Sequence, residues 1–228
     1  MTTKRVSFES RSGDAVEGIL AEPASAGRAP GVVLVHEWWG VSDHIRSVAE
    51  RLASAGFLVL VPDLFHGAVA KTEAEASALM TALDTIRAVG EIAGAAKLLA
   101  SHERSNGKVG VLGFCMGGAL SFASACHVPG LAAVVPFYGV PPAEKVDYGN
   151  VTAPVLAHFA RIDQWATVEK GEAIQKQIEA AGKATMRLEV YDAQHAFVND
   201  TRPEVYDAAN AKLAWDRSVA FLREHLAG

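Results

Sequence analysis

The residues whose chemistry is easiest to name are Gly113-Phe114-Cys115-Met116-Gly117, which follow the apolar run Val109 to Leu112 and open a helical stretch. A Gly-x-nucleophile-x-Gly turn between a strand and a helix lifts its central side chain clear of the backbone. Small residues are required two before and two after that side chain, because anything larger collides with neighbouring main chain. At a helix start, Cys115 meets N–H groups without intrahelical acceptors, and these favour the thiolate that attacks carbonyl carbon. The competing reading is a small apolar residue in a glycine-rich helix start, the ordinary fate of a free cysteine.

Two later positions extend this into a proton-transfer chain. Asp163 ends the segment Ala160-Arg161-Ile162-Asp163 after the apolar run Val155 to Phe159, and His195 follows the run Met186 to Tyr191. Nucleophile, acid, then histidine is one of the chain orders in which such triads occur. His195 is expected to take the thiol proton and return it to the leaving alkoxide, while Asp163 fixes the imidazole tautomer. Taken singly, Asp163 also reads as a turn cap and His195 as a loop histidine. The exit Leu34-Val35-His36-Glu37-Trp38-Trp39-Gly40 offers the backbone N–H of Trp38, which with that of Met116 is expected to bind the oxygen that gains charge. Trp38 and Trp39 read equally well as one wall of the core.

The elements that position these groups follow from periodicity. Arg5 to Glu9 and Val16 to Ala21, separated by Ser12-Gly13-Asp14, predict an opening hairpin. Six short apolar runs then alternate with helical segments: Gly31–Val35, Phe57–Val61, Val109–Leu112, Ala132–Phe137, Val155–Phe159 and Met186–Tyr191. Runs apolar on both faces belong to a mostly parallel sheet. Ser42 or Asp43 caps a helix with the inward stripe Ile45, Val48, Ala49 and Leu52, and Gly56 is placed to end it. Thr72-Glu73-Ala74-Glu75 reads as a capping box opening a long segment with Leu79, Leu83, Ile86, Val89, Ala93 and Ala96 at helical spacing, interrupted at Gly90 and Gly94. Gly171 to Ala181 predicts another helix, and Pro203 predicts the first turn of the last, with Val219, Leu222 and Leu226 inward. The result is an α/β fold: a doubly wound, mostly parallel sheet behind an antiparallel hairpin, in one domain over residues 1–228. Ligands on such sheets sit at the carboxyl ends of the strands, where the candidate residues fall.

Composition narrows the function class. The net charge of -5, with both signs interspersed, leaves no basic footprint for nucleic acid. The N-terminal residues show no apolar segment of a signal peptide, and the longest apolar stretch, Leu131 to Val140, is far short of the roughly 20 residues of a membrane span. Cys115 and Cys126 lie on one predicted helix, ~16 Å apart, too far for a disulfide. A reducing, cytoplasmic location is therefore expected, with no membrane partner.

The Gly-Phe-Cys-Met-Gly-Gly turn, His36-Glu37-Trp38-Trp39-Gly40, Ser105-Asn106-Gly107-Lys108-Val109-Gly110 and His195-x-Phe197 together resemble the dienelactone hydrolase family of the α/β-hydrolase superfamily over nearly the whole chain. The resemblance implies an α/β-hydrolase fold without a large cap domain. It also implies a thiol hydrolase for enol-lactones such as carboxymethylenebutenolide, with no metal or organic cofactor. Glu37 then corresponds to an acid that contacts the cysteine in the resting enzyme; when ionised, it disfavours the neighbouring thiolate until substrate displaces it. A solvated strand-end acid is the alternative.

The chain departs from that pattern where family members clamp a substrate carboxylate with two arginines. Asn199 stands four residues after His195, and Thr72-Glu73-Ala74-Glu75 lacks the other arginine, which puts the dienelactone substrate itself in question. Arg161, Arg202 and His66 are candidate substitutes that also read as surface residues. Trp39, Phe65, Tyr138 and Asn199 are the expected substrate-binding positions; with Trp38, the aromatic rings favour a flat apolar or aromatic group. Hydrolysis of a small-molecule ester or lactone through an acyl-enzyme is the leading reading. A general esterase or thioesterase and a non-catalytic small-ligand receptor are the rivals. Monomer and dimer are both open.

Overall fold

The computed structural model describes residues 2–227. Thr2–Glu9 (β1) and Ala15–Glu22 (β2) form the predicted antiparallel hairpin. Ala29–Val35 (β3), Leu58–Pro62 (β4), Ser105–Phe114 (β5), Ala133–Phe137 (β6), Val155–Ile162 (β7) and Met186–Gln194 (β8) correspond to the six runs; β4 is shifted by one residue, β6 starts one later, the others are longer, and β8, at the sheet edge, is only partly buried. They join one eight-stranded sheet in the order β1-β2-β4-β3-β5-β6-β7-β8, parallel from β4 to β8. The step from β4 back through β3 to β5 is a reversal of winding direction, the place where a crevice opens beyond the strand ends.

Helices cover both faces. Asp43–Ser54 (α1) and Ala208–Leu226 (α6) share one face, where the Arg51 guanidinium lies 4.1 Å from the Trp215 ring centre. Thr85–Ser101 (α3), Met116–His127 (α4) and Val168–Ala181 (α5) cover the other. Ser42 caps α1 through Ile45 N–H, and Ile45, Val48, Ala49 and Leu52 are buried as their spacing predicts. Between β4 and α3 stands one ten-residue helix, Glu73–Ala82 (α2), and no large cap.

Three local expectations are corrected. The long segment after Thr72 breaks at Leu83-Asp84, where the Asp84 carboxylate caps α3 by accepting Arg87 N–H at 2.9 Å, and not at its glycines. Gly90 and Gly94 lie inside α3. A side chain at Gly94 would run into the carbonyl of Glu9, so glycine there permits close packing on the end of β1. Ile86, one of the apolar residues at helical spacing in that segment, is exposed. Pro203 lies in a turn, and the last helix begins after Asp207, whose carboxylate accepts Asn210 N–H at 3.0 Å. Among the described residues, no helix is long and apolar enough to cross a membrane.

Candidate active site

Cys115 stands between β5 and α4 with φ 55° and ψ -115°, a conformation that strains any residue but glycine. The neighbouring glycines show why the chain tolerates it. A Cβ at Gly113 would strike the carbonyl of Gly117, one at Gly117 the carbonyls of Val35 and His36, and one at Gly118 that of Phe137. The elbow is wedged between β3 and β6, and Cys115 N–H donates to Phe137 O at 3.0 Å. Among the described residues, four non-glycines have positive φ, and three of them, Cys115, Tyr138 and Ala196, line one cavity. Strain of this kind, of order 1–3 kcal/mol per residue, concentrates where geometry serves a site.

That cavity, about 690 Å³, opens beyond the carboxyl ends of the sheet. Cys115, His195, Glu37, Trp38, Trp39, Met116 and Tyr138 all line it. Asp163 lies just behind, its side chain fully buried, with Oδ2 2.6 Å from His195 Nδ1. Its Oδ1 accepts the N–H groups of Trp165 at 2.8 Å and Ala166 at 3.0 Å, so the turn after β7 holds the carboxylate in place. Trp165 and Tyr138 pack against the imidazole, with ring centres 5.2 and 4.9 Å away. Burial alone would lower the pKa of His195, but the hydrogen bonds with Asp163 and Cys115 outweigh it and push it up to about 10. The carboxylate of Asp163 therefore holds one side of the imidazole, in the cavity that Cys115 also lines.

Glu37 is 2 % exposed, and its Oε2 accepts from Asn199 Nδ2 at 2.8 Å. Burial pushes its carboxyl pKa up, against the pull of His44, His195, Asn199 and Arg202. A neutral Glu37 has no charge with which to oppose a thiolate, so the expected suppression requires a pH above this raised value. His44 is also buried and bonds Asp200 through Nδ1 at 3.0 Å.

Two expected substrate contacts are placed elsewhere. Asn199 is buried beneath the site as the hydrogen-bond partner of Glu37, and does not line the main cavity. Phe65 turns inward and packs edge-on against His36 at 4.9 Å, because the exit of β4 folds beneath the exit of β3. Trp39 and Tyr138 do line the cavity, and the Tyr138 hydroxyl is buried with no hydrogen-bond partner among the described residues. Of the three candidate anion contacts, only Arg202 reaches the cavity; its Nε donates to Glu204 at 2.8 Å. Spacing alone does not single out Trp165 or His36. Trp165 belongs to the turn that forms around Asp163, and His36 adjoins Glu37 in the motif already noted.

The sequence model of the dienelactone hydrolase family matches residues 16–226. The chain belongs to the dienelactone hydrolase family. It is 36 % identical to "Protein usf" of Aquifex pyrophilus, across 97 % of this chain and 98 % of that one. It is 32 % identical to the "Putative carboxymethylenebutenolidase" of Aquifex aeolicus, with the same coverage. A dienelactone hydrolase-like promiscuous phosphotriesterase from metagenomic libraries superposes with a TM-score of 0.88 at 24 % identity, over 99 % of each chain. That likeness shows the α/β-hydrolase fold. As a member of the dienelactone hydrolase family, this chain is a hydrolase.

Proposed function

We propose that this protein hydrolyses a carboxylic ester or lactone through a thioester on Cys115. The sulfur attacks the carbonyl carbon, and the oxygen, now negative, is held by the N–H groups of Trp38 and Met116. The proton lost by the thiol rests on His195, which passes it to the alkoxide as the C–O bond breaks. Water then attacks the thioester, His195 takes one of its protons, and the acid leaves as the sulfur regains its starting state. Met116 is the first residue of α4, so its N–H has no intrahelical acceptor. The observation that carries the reading is the 2.6 Å pairing of His195 with Asp163 beside the cavity that Cys115 and His195 line together at the strand ends.

The walls support a substrate class. Trp39, Tyr138, Val140, Pro141 and Trp165 present aromatic and aliphatic surface, suited to a flat apolar acyl or alcohol group. With no arginine four residues after His195, Arg202 is the cation available to a carboxylated substrate, such as the lactones implied by the names of the carboxymethylenebutenolidase relatives. The two cysteines are unpaired, which suits a reducing cytoplasmic setting. In a chromogenic-ester assay, wild type is expected to release alcohol in a burst and Cys115→Ala to release none above background. Full turnover by Cys115→Ala would end the cysteine mechanism and favour another nucleophile, whereas no burst and no turnover by wild type would favour a receptor. Comparing an aryl lactone with the matching linear ester separates lactonase from general esterase.

A further inference from the structure

The imidazole of His36 is wholly buried at the exit of β3. Its Nδ1 is 2.7 Å from the carbonyl oxygen of Glu37, and its Nε2 is 3.2 Å from the N of Leu64. A carbonyl can only accept and an N–H can only donate, so these two bonds assign the tautomer: the proton sits on Nδ1 and Nε2 is the acceptor. Burial pulls the His36 pKa below its ordinary value, which keeps the ring neutral as that pattern demands.

The Glu37 carbonyl is one end of the peptide unit whose other end is the Trp38 N–H. In a planar trans peptide those two groups point in opposite directions, so fixing one aims the other. No sheet ladder does the fixing: β3 pairs with β4 only as far as Val33 and with β5 only as far as Val35. Two donors hold the carbonyl instead, His36 Nδ1–H and Gly40 N–H at 3.1 Å. Through Nε2, the same ring ties this peptide to Leu64, just beyond β4, and Phe65 packs against its edge. Among the described residues, the Trp38 N–H has no protein acceptor, and Trp38 lines the cavity beside Cys115.

We infer that His36 is a positioning residue for the oxyanion hole: by clamping the Glu37–Trp38 peptide between the β3 and β4 exits, it aims the Trp38 N–H at the developing oxyanion. The inference rests on the acyl-transfer reading of the site. It assigns His36 no contact with substrate and no proton transfer, and its effect falls on the transition state and not on ground-state binding.

Three variants separate the two ends of the ring. His36→Asn places an amide donor near the position of Nδ1, His36→Gln places an amide near that of Nε2, and His36→Leu removes both. Expected values of kcat for a chromogenic aryl ester are within about tenfold of wild type for Asn, and lower by about 10²-fold for Gln and Leu. KM is expected to stay within about threefold throughout. Affinity for an aryl trifluoromethyl ketone, which adds Cys115 Sγ to its carbonyl and generates an oxyanion, should fall in step with kcat. Affinity for the product acid should not. Folding is monitored by circular dichroism and melting, and if His36→Leu unfolds, the Asn and Gln pair decides alone. Equal kcat in folded Asn and Gln variants, or parallel losses in kcat, ketone affinity and acid affinity, would overturn the positioning role. Wild type that forms no covalent acyl or ketone adduct at Cys115 would overturn the acyl-transfer reading and this inference with it. Wild type that acylates normally beside Gln and Leu variants that acylate equally fast would overturn only the inference.

Discussion

Replacing Asp163 with Asn should remove catalysis by turning the histidine, not by dismantling the fold. In the Asp163→Asn variant the amide oxygen can still accept the N–H groups of Trp165 and Ala166, as Asp163 Oδ1 does at 2.8 and 3.0 Å. The new NH₂ must then face His195 Nδ1, where the carboxylate now stands at 2.6 Å. A donor at that position requires Nδ1 to accept, which moves the imidazole proton to Nε2, the nitrogen that has to serve the sulfur. The amide can restore the working tautomer only by flipping, which leaves two N–H groups facing NH₂. Each lost bond costs about 1–3 kcal/mol, so the productive arrangement lies about 2–6 kcal/mol higher, a fall in kcat of ~30-fold to ~10⁴-fold. Initial rates with a chromogenic ester at saturating concentration measure it. The same substitution should lower the His195 pKa from about 10 toward its ordinary 6.5, observable by NMR titration. A folded-state pKa above the unfolded one stabilises fully below about pH 6.5, and this contribution is lost as pH rises through 10. The stability gap between wild type and variant should therefore be widest in mild acid and close toward pH 10. Asp163→Asn with kcat within threefold of wild type would refute the tautomer argument.

Other expectations follow from individual contacts. His36 and His158 are fully buried with pKa values pushed down by burial, His158 to about 3. The unfolded chain therefore binds protons first, and stability should fall as pH drops below about 6.5, by ~1.4 kcal/mol per pH unit for each ring. Glu37 and Glu91, pushed up by burial, oppose this; a urea midpoint as high at pH 5.5 as at pH 7 would contradict the histidine account. Gly94→Ala would ordinarily favour a helix by about 0.5–1 kcal/mol, yet its methyl group meets the Glu9 carbonyl. A net loss of about 1–3 kcal/mol is expected, and a raised Tm would show that α3 can move away from β1. Arg202→Ala should raise KM by about tenfold or more for an aryl ester bearing a remote carboxylate and leave the neutral ester unchanged. Equal KM changes for both esters would remove Arg202 from substrate recognition.

Much of this architecture is legible in the chain because the strands buried on both faces are unbroken apolar runs, and the elbow glycines are forced by backbone crowding. The triad candidates fall at strand exits for the same reason, and the structure brings Cys115, His195 and Asp163 together. What periodicity does not reveal is which neighbour a buried side chain meets. Leu83 continues the apolar spacing while Asp84, the next residue, starts a new helix. Pro203 suits a first helical turn, but the Asp207 cap decides where α6 begins. Phe65 and Asn199 have residue types fit for a pocket wall, yet one supports His36 and the other holds Glu37, contacts made across 29 and 162 positions of sequence. His36 shows the same limit: its partner Leu64 becomes visible only when the exits of β3 and β4 lie side by side.

The proposed mechanism requires a covalent acyl group on one sulfur. Wild type mixed with an activated aryl ester and quenched in acid within one turnover should gain the acyl mass, and peptide mapping should place it on Cys115. Cys115→Ala should gain nothing. An acyl group on any other residue, or turnover at the wild-type rate with no covalent adduct at any quench time, would contradict the account.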